Sequence, residues 1–273
     1  MKLKEAIALL AESGIDSAEY DARELFRKHT TPSQQGYVSR EAECSSPLFE
    51  EDVKRRCERE PLQYILGKVG FWREEYTVTP AVLIPRPDTE HLVEYAVKHI
   101  PCGERFLDVC TGSGCVAIST LKSTVGTTAA AIDLSADALA VARLNAENMG
   151  VLDRLSLREE DALRHAPDGS GPYFAILSNP PYVTDSEYLE LEPEIYKEPK
   201  MAFVGGADGG DFYRAIVGAG KSMIKPEGFI ALEIGAYQRP LLTALAKEHG
   251  FSIEIIKDYS GHDRVAVLKP ILR

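Results

Sequence analysis

The stretch Phe106-Leu107-Asp108-Val109-Cys110-Thr111-Gly112-Ser113-Gly114-Cys115-Val116-Ala117-Ile118 decides the fold: an apolar strand runs into a tight turn of small residues and then into a helix. Glycines in such a turn let the backbone approach a ligand closely, and in doubly wound α/β proteins that ligand lies beyond the carboxyl ends of the strands. The next apolar run ends at Ala131-Ile132-Asp133, roughly 20 residues past the turn, where a carboxylate accepts both ribose hydroxyls of a nucleoside. Cys110 stands where the dinucleotide fingerprint G-x-G-x-x-G has its first glycine, and no third glycine follows, so a pyrophosphate ligand is disfavoured. Asp108, ahead of the turn, suits an amino or sulfonium group better than a phosphate. S-adenosyl-L-methionine carries both cationic groups. Without a ligand, the same residues would make only a strand-to-helix connection.

Outward from this stretch, short apolar runs alternate with helical ones, as in a doubly wound α/β sheet. The expected strands are 105–109, 128–132, 155–158, 173–177, 228–234, 251–256 and 264–268, with helices at 136–148 and 213–223 among them. Upstream, residues 1–70 read as a small helical domain. Leu3, Ile7 and Leu10 share a face closed by Gly14, Asp16 with Glu19 forms a capping box, Ala22, Leu25 and Phe26 point inward, and Ser46-Pro47 starts a third helix through Val53 and Cys57. Residues 71–87 are a linker built on a hairpin over 71–82, rich in aromatic and β-branched residues. Asp88 caps a helix over 89–99, and 88–273 form the second domain. The interval 182–210 is acidic and glycine-bearing with little periodicity, and its 205–210 glycine run reads as a flexible loop near the site that closes over substrate.

The run 173–177 delivers Asn179-Pro180-Pro181-Tyr182 to the same rim. The prolines stop the strand and hold the Asn179 side chain and the Pro180 carbonyl rigid. A planar amide or aromatic amine is a weak nucleophile because its lone pair is delocalised. Two acceptors that bind both N–H groups orient that pair at an activated methyl, while the Tyr182 ring packs on the substrate plane. Alone, the tetrapeptide would be a proline-rich turn after a buried strand.

The 31 Lys and Arg against 42 Asp and Glu give a net charge of −11, which disfavours free nucleic acid as partner. No apolar run spans a membrane and no leader is evident, so a cytoplasmic protein is expected; a monomer is expected as well. The five cysteines, Cys44, Cys57, Cys102, Cys110 and Cys115, contain no C-x-x-C pair and read as small buried hydrophobes. His29, His91, His99, His165, His249 and His262 show no metal spacing and read as solvated surface. No metal site is expected.

With these residues in view, the sequence resembles the class I S-adenosylmethionine-dependent methyltransferases, and within them the release factor glutamine methyltransferases. The resemblance rests on Asn179-Pro180-Pro181-Tyr182 together with Pro61-Leu62-Gln63-Tyr64-Ile65-Leu66-Gly67, Pro85-Arg86-Pro87-Asp88-Thr89-Glu90, the Asp108–Gly114 turn, Glu198-Pro199 and Asp263-Arg264-Val265. It implies a Rossmann-like seven-stranded methyltransferase domain joined by a β-hairpin to an N-terminal helical domain that docks the release factor. It implies methylation of the side-chain amide N5 of glutamine in a Gly-Gly-Gln motif, with S-adenosyl-L-homocysteine as coproduct. The cofactor would be held by Asp108, Cys110, Thr111, Gly112, Ser113, Gly114, Asp133 and Leu134, with Asp161 and Ala162 at the adenine. Ala162 stands where some relatives have an aromatic residue. Asn179 touches both cofactor and substrate, and Pro180, Pro181 and Tyr182 complete the glutamine pocket. Arg86 and Glu90 either line the cofactor cleft or only start a helix. The competing readings are methylation of a ribosomal-protein glutamine or of DNA adenine, a non-catalytic adaptor, and a nicotinamide dehydrogenase.

Overall fold

Residues 1–31, 38–164 and 171–272 are described by the computed structural model, which divides into two units. The expectation for His165 lies outside the described residues.

The first unit comprises Met1–Lys68 and Glu192–Lys197. Its helices are α1 (Leu3–Glu12), α2 (Ala18–Lys28), α3 (Pro47–Cys57) and α4 (Leu62–Leu66). Leu3, Leu10, Leu25, Phe26, Phe49 and Val53 form its core, and Gly14, at φ +74°, closes α1 as expected. Ala6, rather than Ile7, completes the buried face of α1. The Asp16/Glu19 capping box does not form. Helix α2 starts at Ala18, and Glu19 is drawn instead to the guanidinium groups of Arg23 and Arg40. The interior holds a buried ion pair in which Arg56 donates from Nε to Asp21 at 2.7 Å. Glu194 accepts from Arg56 at 3.0 Å and from Arg59 at 2.8 Å, which ties the 192–197 segment to this unit.

The second unit comprises Val69–Leu191 and Glu198–Arg273. The hairpin, expected over 71–82, is β1 (Lys68–Phe71) and β2 (Glu74–Thr77); Trp72 takes the turn at φ +58° rather than a strand position. Seven further strands, β3 (Arg105–Val109), β4 (Thr128–Asp133), β5 (Leu155–Glu159), β6 (Tyr173–Ser178), β7 (Ile224–Glu233), β8 (Phe251–Lys257) and β9 (Asp263–Pro270), make one sheet of order β5-β4-β3-β6-β7-β9-β8. All neighbours are parallel except β9, which runs antiparallel to β7 and β8. All seven expected strands are present, β7 starting four residues earlier than expected because Ile224 pairs with Tyr173 across a bulge. Alternate residues feed two cores, Phe106 and Leu177 packing with Leu92 and Ile118 on one face, Leu107 and Ile176 with Tyr213 and Ile230 on the other.

Helices α5 (Glu90–His99), α6 (Cys115–Ser123), α7 (Ala136–Asn148), α9 (Asp211–Met223) and α10 (Arg239–His249) flank the sheet, and α8 (Asp185–Tyr188) is a single turn. Asp88 does not cap a helix over 89–99. A 3-10 turn, Pro87–Thr89, precedes α5, and Asp88 faces Arg264 at 3.3 Å. The 182–210 interval holds short helical turns that its sequence pattern does not announce, with Thr184 and Glu187 forming a capping box on α8. Cys44 is buried, but Cys102 is exposed and the other three cysteines are half-buried. His91 is buried, and His29 lies 2.7 Å from the buried Asp52, so these two are not solvated surface.

Arg56→Met leaves Asp21 as an unpaired buried charge, a change that costs about 3–5 kcal/mol. Amide exchange in α1–α3 of the full chain is expected to accelerate at least ~100-fold; unchanged exchange would show that the pair does not hold the helices.

Candidate active site

The strand order reverses between β3 and β6, since β4 and β5 lie to one side of β3 and β6 and β7 to the other. Ligands bind such sheets at this switch point, outside the carboxyl ends of the strands. Val109 is in register with Ser178, whose hydroxyl donates to the Val109 carbonyl at 2.6 Å, so the 110–114 turn and Asn179 leave the sheet side by side.

A cavity of about 300 Å³ opens there. Cys110, Gly112, Asp133, Leu134, Asp161, Ala162, Asn179 and Pro181 line it, so eight of the expected site residues meet in one space. Its other walls come from Ala81–Leu83 and from Pro199–Phe212. Cys110 sits at φ +60°, the left-handed conformation that the missing glycine would have taken without strain. Burial pushes its thiol well above the usual range, so it is no nucleophile at neutral pH. Gly112, at φ +55°, donates its N–H to Asp133 Oδ2 at 2.8 Å, and Ser135 donates to Oδ1 at 3.0 Å. Burial raises the Asp133 carboxyl, while these N–H groups pull it down.

Asp108 does not face the cavity. It is buried, accepts from the Thr111 hydroxyl at 2.6 Å, and braces the turn from behind. Burial raises its carboxyl to about 7. Thr111, Ser113 and Gly114 likewise shape the turn without lining the cavity; Gly114 is at φ +81°, and a Cβ there would also meet Ile118 at 2.8 Å. Asn145 ties the turn to the hairpin, donating to the Ser113 and Thr77 carbonyls at 2.9 and 3.0 Å. Arg86 and Glu90 do not line the cavity either. Arg86 binds the buried Glu198, and Glu90 accepts from the Trp72 N–H at 2.7 Å.

Among the described lining residues, the charged groups are Asp133, Glu160, Asp161 and Asp211, with no Lys, Arg or His. Glu160, Asp161 and Asp211 have arginine partners at 3.2, 3.4 and 3.5 Å, whereas Asp133 is held by backbone N–H groups. A carboxylate has about four lone-pair sites, so acceptor capacity remains at Asp133.

The Asn179-Pro180-Pro181-Tyr182 segment is clamped on both sides. Val183 donates to the Phe203 carbonyl at 2.8 Å and Gly205 to that of Val183 at 2.9 Å, while Gln238 Nε2 donates to the Tyr182 carbonyl at 2.8 Å. Behind it, Asn179 Nδ2 donates to Thr89 Oγ1 at 3.1 Å, and Thr89 donates to Glu233 Oε2 at 2.6 Å. The Tyr182 hydroxyl donates to Glu233 Oε1 at 3.3 Å, and Tyr182 lines a second groove rather than the main cavity. Thr89, Glu233, Gln238 and Gly205 are site-building residues that the sequence motifs did not single out in these roles.

Residues 2–67 match the model of the PrmC N-terminal domain, and residues 88–203 that of the methyltransferase small domain. The chain is 36% identical to the release factor glutamine methyltransferase of Geobacter sulfurreducens, over 94% of this chain and 91% of that one. It is also 36% identical to that of Cereibacter sphaeroides, over 96% and 95%. In fold it is similar to the crystal structure of a methyltransferase from Pyrococcus furiosus (TM-score 0.54, 19% identity, 72% and 89% coverage).

At Gly205 a Cβ would lie 2.4 Å from the Pro181 carbonyl oxygen and 2.9 Å from Tyr182 Cα. Gly205→Ala is therefore expected to cost about 1–3 kcal/mol in urea unfolding and to move the Tyr182 resonances. A variant with wild-type stability and spectrum would show that this approach is not tight.

Proposed function

The chain belongs to the release factor glutamine methyltransferases, and we propose that it transfers the methyl group of S-adenosyl-L-methionine to the glutamine side-chain nitrogen in the Gly-Gly-Gln motif of peptide chain release factors. The observation that carries this reading is a cavity whose charged lining is, among the described residues, wholly carboxylate, with Asn179 and Pro181 in its wall.

That lining fits the cofactor. Asp133 takes the ribose hydroxyls, Leu134, Asp161 and Ala162 receive the adenine, and the turn around Cys110 and Gly112 admits the amino-acid end, whose ammonium suits a carboxylate-lined space. Ala162 is too small to stack on a base, so the adenine is held by shape and the flanking Leu134 and Leu163. Thr111, Ser113, Gly114 and Asp108 set the path of the turn. The cofactor supplies an electrophilic methyl on a sulfonium and leaves as S-adenosyl-L-homocysteine.

Asn179 Oδ1 and the Pro180 carbonyl accept the two N–H groups of the glutamine amide and so direct its nitrogen lone pair at the methyl. Tyr182 closes the acceptor side. The nitrogen gains one bond to carbon, and its surplus proton leaves to water. The helical domain, 1–70, docks the release factor, and the chain works as a monomer in the cytoplasm, where termination takes place. Among the described residues no helix is long and apolar enough to cross a membrane.

Peptide mass spectrometry of a release factor incubated with this protein and cofactor is expected to show one added methyl on the Gly-Gly-Gln glutamine. Label transferred to duplex DNA or to ribosomal protein alone would overturn the reading. Asn179→Ala is expected to lower kcat by about 10²–10³-fold, the range for removing one preorganised polar group, while changing cofactor affinity little. Asp133→Ala removes a charge-assisted acceptor and weakens cofactor binding by roughly 10–100-fold, read by calorimetry.

A further inference from the structure

The hydroxyl of Thr89 has a single hydrogen, and its surroundings dictate where that hydrogen goes. Glu233 Oε2 lies 2.6 Å away on a carboxylate, which only accepts, so Thr89 donates there and offers Asn179 nothing but a lone pair. Asn179 must then turn its NH2 toward Thr89, at 3.1 Å, and because the amide is planar, Oδ1 is left for the cavity that Asn179 lines. The second oxygen of Glu233 accepts from the Tyr182 hydroxyl. One carboxylate at the end of β7 is thus bonded to Tyr182 directly and linked to Asn179 through Thr89.

We propose that Glu233 is a positioning residue for methyl transfer: acting through Thr89, its carboxylate holds the Asn179 amide with Oδ1 toward the acceptor nitrogen, and it anchors the Tyr182 ring. The proposal rests on the functional reading above. Glu233 does not line the cavity.

The chain of donors reverses when Glu233 takes up a proton. The acid donates to Thr89, Thr89 turns its hydrogen to Asn179, and Asn179 answers by rotating Oδ1 away from the cavity. Its NH2 then meets the NH2 of the acceptor, two donors face to face. The groups around the carboxyl are the Thr89 and Tyr182 hydroxyls, Arg264 paired with Asp88 at 3.3 Å, the Cys115 thiol, and Tyr213, whose hydroxyl lies 3.0 Å from the Glu233 carbonyl. Burial lifts the Glu233 carboxyl to about 7, opposed by the Thr89 hydrogen bond and the Arg264 charge and helped by Asp88. Because the competent form is the carboxylate, activity is present above this value and lost as pH falls through it.

The test has two readouts. In kinetics on a release factor, wild-type kcat/KM is expected to fall about tenfold per pH unit below about 7, and Glu233→Gln to show a reduced rate without that acid limb, with cofactor affinity unchanged. Thr89→Val is expected to raise the acceptor KM and lower kcat, and Thr89→Ser to recover most of the loss. In NMR of the protein without cofactor, the Asn179 side-chain NH2 resonances, assigned by their loss in Asn179→Ala, should titrate near 7 in the wild type and stay fixed in Glu233→Gln. An acid limb that survives Glu233→Gln, a Thr89→Val enzyme with wild-type kcat/KM, or NH2 resonances that do not titrate would each overturn the proposal. If the resonances titrate as expected while no release factor is methylated, the relay stands and the functional reading falls.

Discussion

The parallel pairing of β3 with β6 is the constraint from which the site follows. With Val109 opposite Ser178, and the Ser178 hydroxyl bonded to the Val109 carbonyl, the glycine turn and Asn179 emerge from adjacent strands at the same height. β4 pairs on the other side of β3 with Val109 opposite Ile132, which places Asp133 one residue beyond the same level. A slip of one residue in either pairing would exchange the two faces of the sheet and send Phe106 and Leu107 into each other's cores. The register is therefore fixed by hydrophobic packing on both faces, and the functional rim inherits its geometry from that packing.

The rim is electrostatically unfavourable in isolation. Burial raises the carboxyls of Asp108, Asp133 and Glu233 above their ordinary values, the first and last to about 7. A raised carboxyl binds its proton more tightly in the folded chain, so each of these groups reduces stability as pH rises from its unfolded pKa through its raised folded one. Backbone N–H groups and neutral hydroxyls, Thr111 for Asp108, Gly112 and Ser135 for Asp133, Thr89 and Tyr182 for Glu233, offset the penalty only in part. A cationic ligand in the cavity would offset part of this penalty. Ligand binding and fold stability are thereby linked, and the protein holds at its switch point a field suited to an ammonium and a sulfonium.

Much of this was legible in the sequence because it is local. An apolar run that ends in a small-residue turn, as β3 does, or in Asn-Pro-Pro-Tyr, as β6 does, announces a strand end by its own residues, and short apolar runs mark all seven strands of the sheet. Two errors arose where a side chain had a distant partner. Asp88 looks like a helix cap until Arg264 is present; Glu19 looks like half of a capping box until Arg40 is. Asp108 reads as a ligand contact because it precedes the turn, yet strand alternation directs it into the protein, where Thr111 takes it up. Thr89 and Glu233 lie 144 positions apart and meet only through the sheet order, so no spacing rule could pair them.

The choice of acceptor follows from the same field. Two acceptors beside an activated methyl serve a glutamine amide and an adenine amino group alike, since each presents a planar nitrogen with two hydrogens. Discrimination must come from what accompanies the nitrogen. A nucleic acid brings phosphates, and binding them requires several Lys or Arg contacts near the site. Here the described residues that line the cavity carry acids alone, the groove past Tyr182 adds Glu187 and Glu190 with Arg264 as its one cation among described residues, and the whole chain carries −11. A phosphate backbone led to Asn179 would meet carboxylates more often than cations among the described lining residues, whereas a neutral, glycine-flanked amide carries no charge to be repelled.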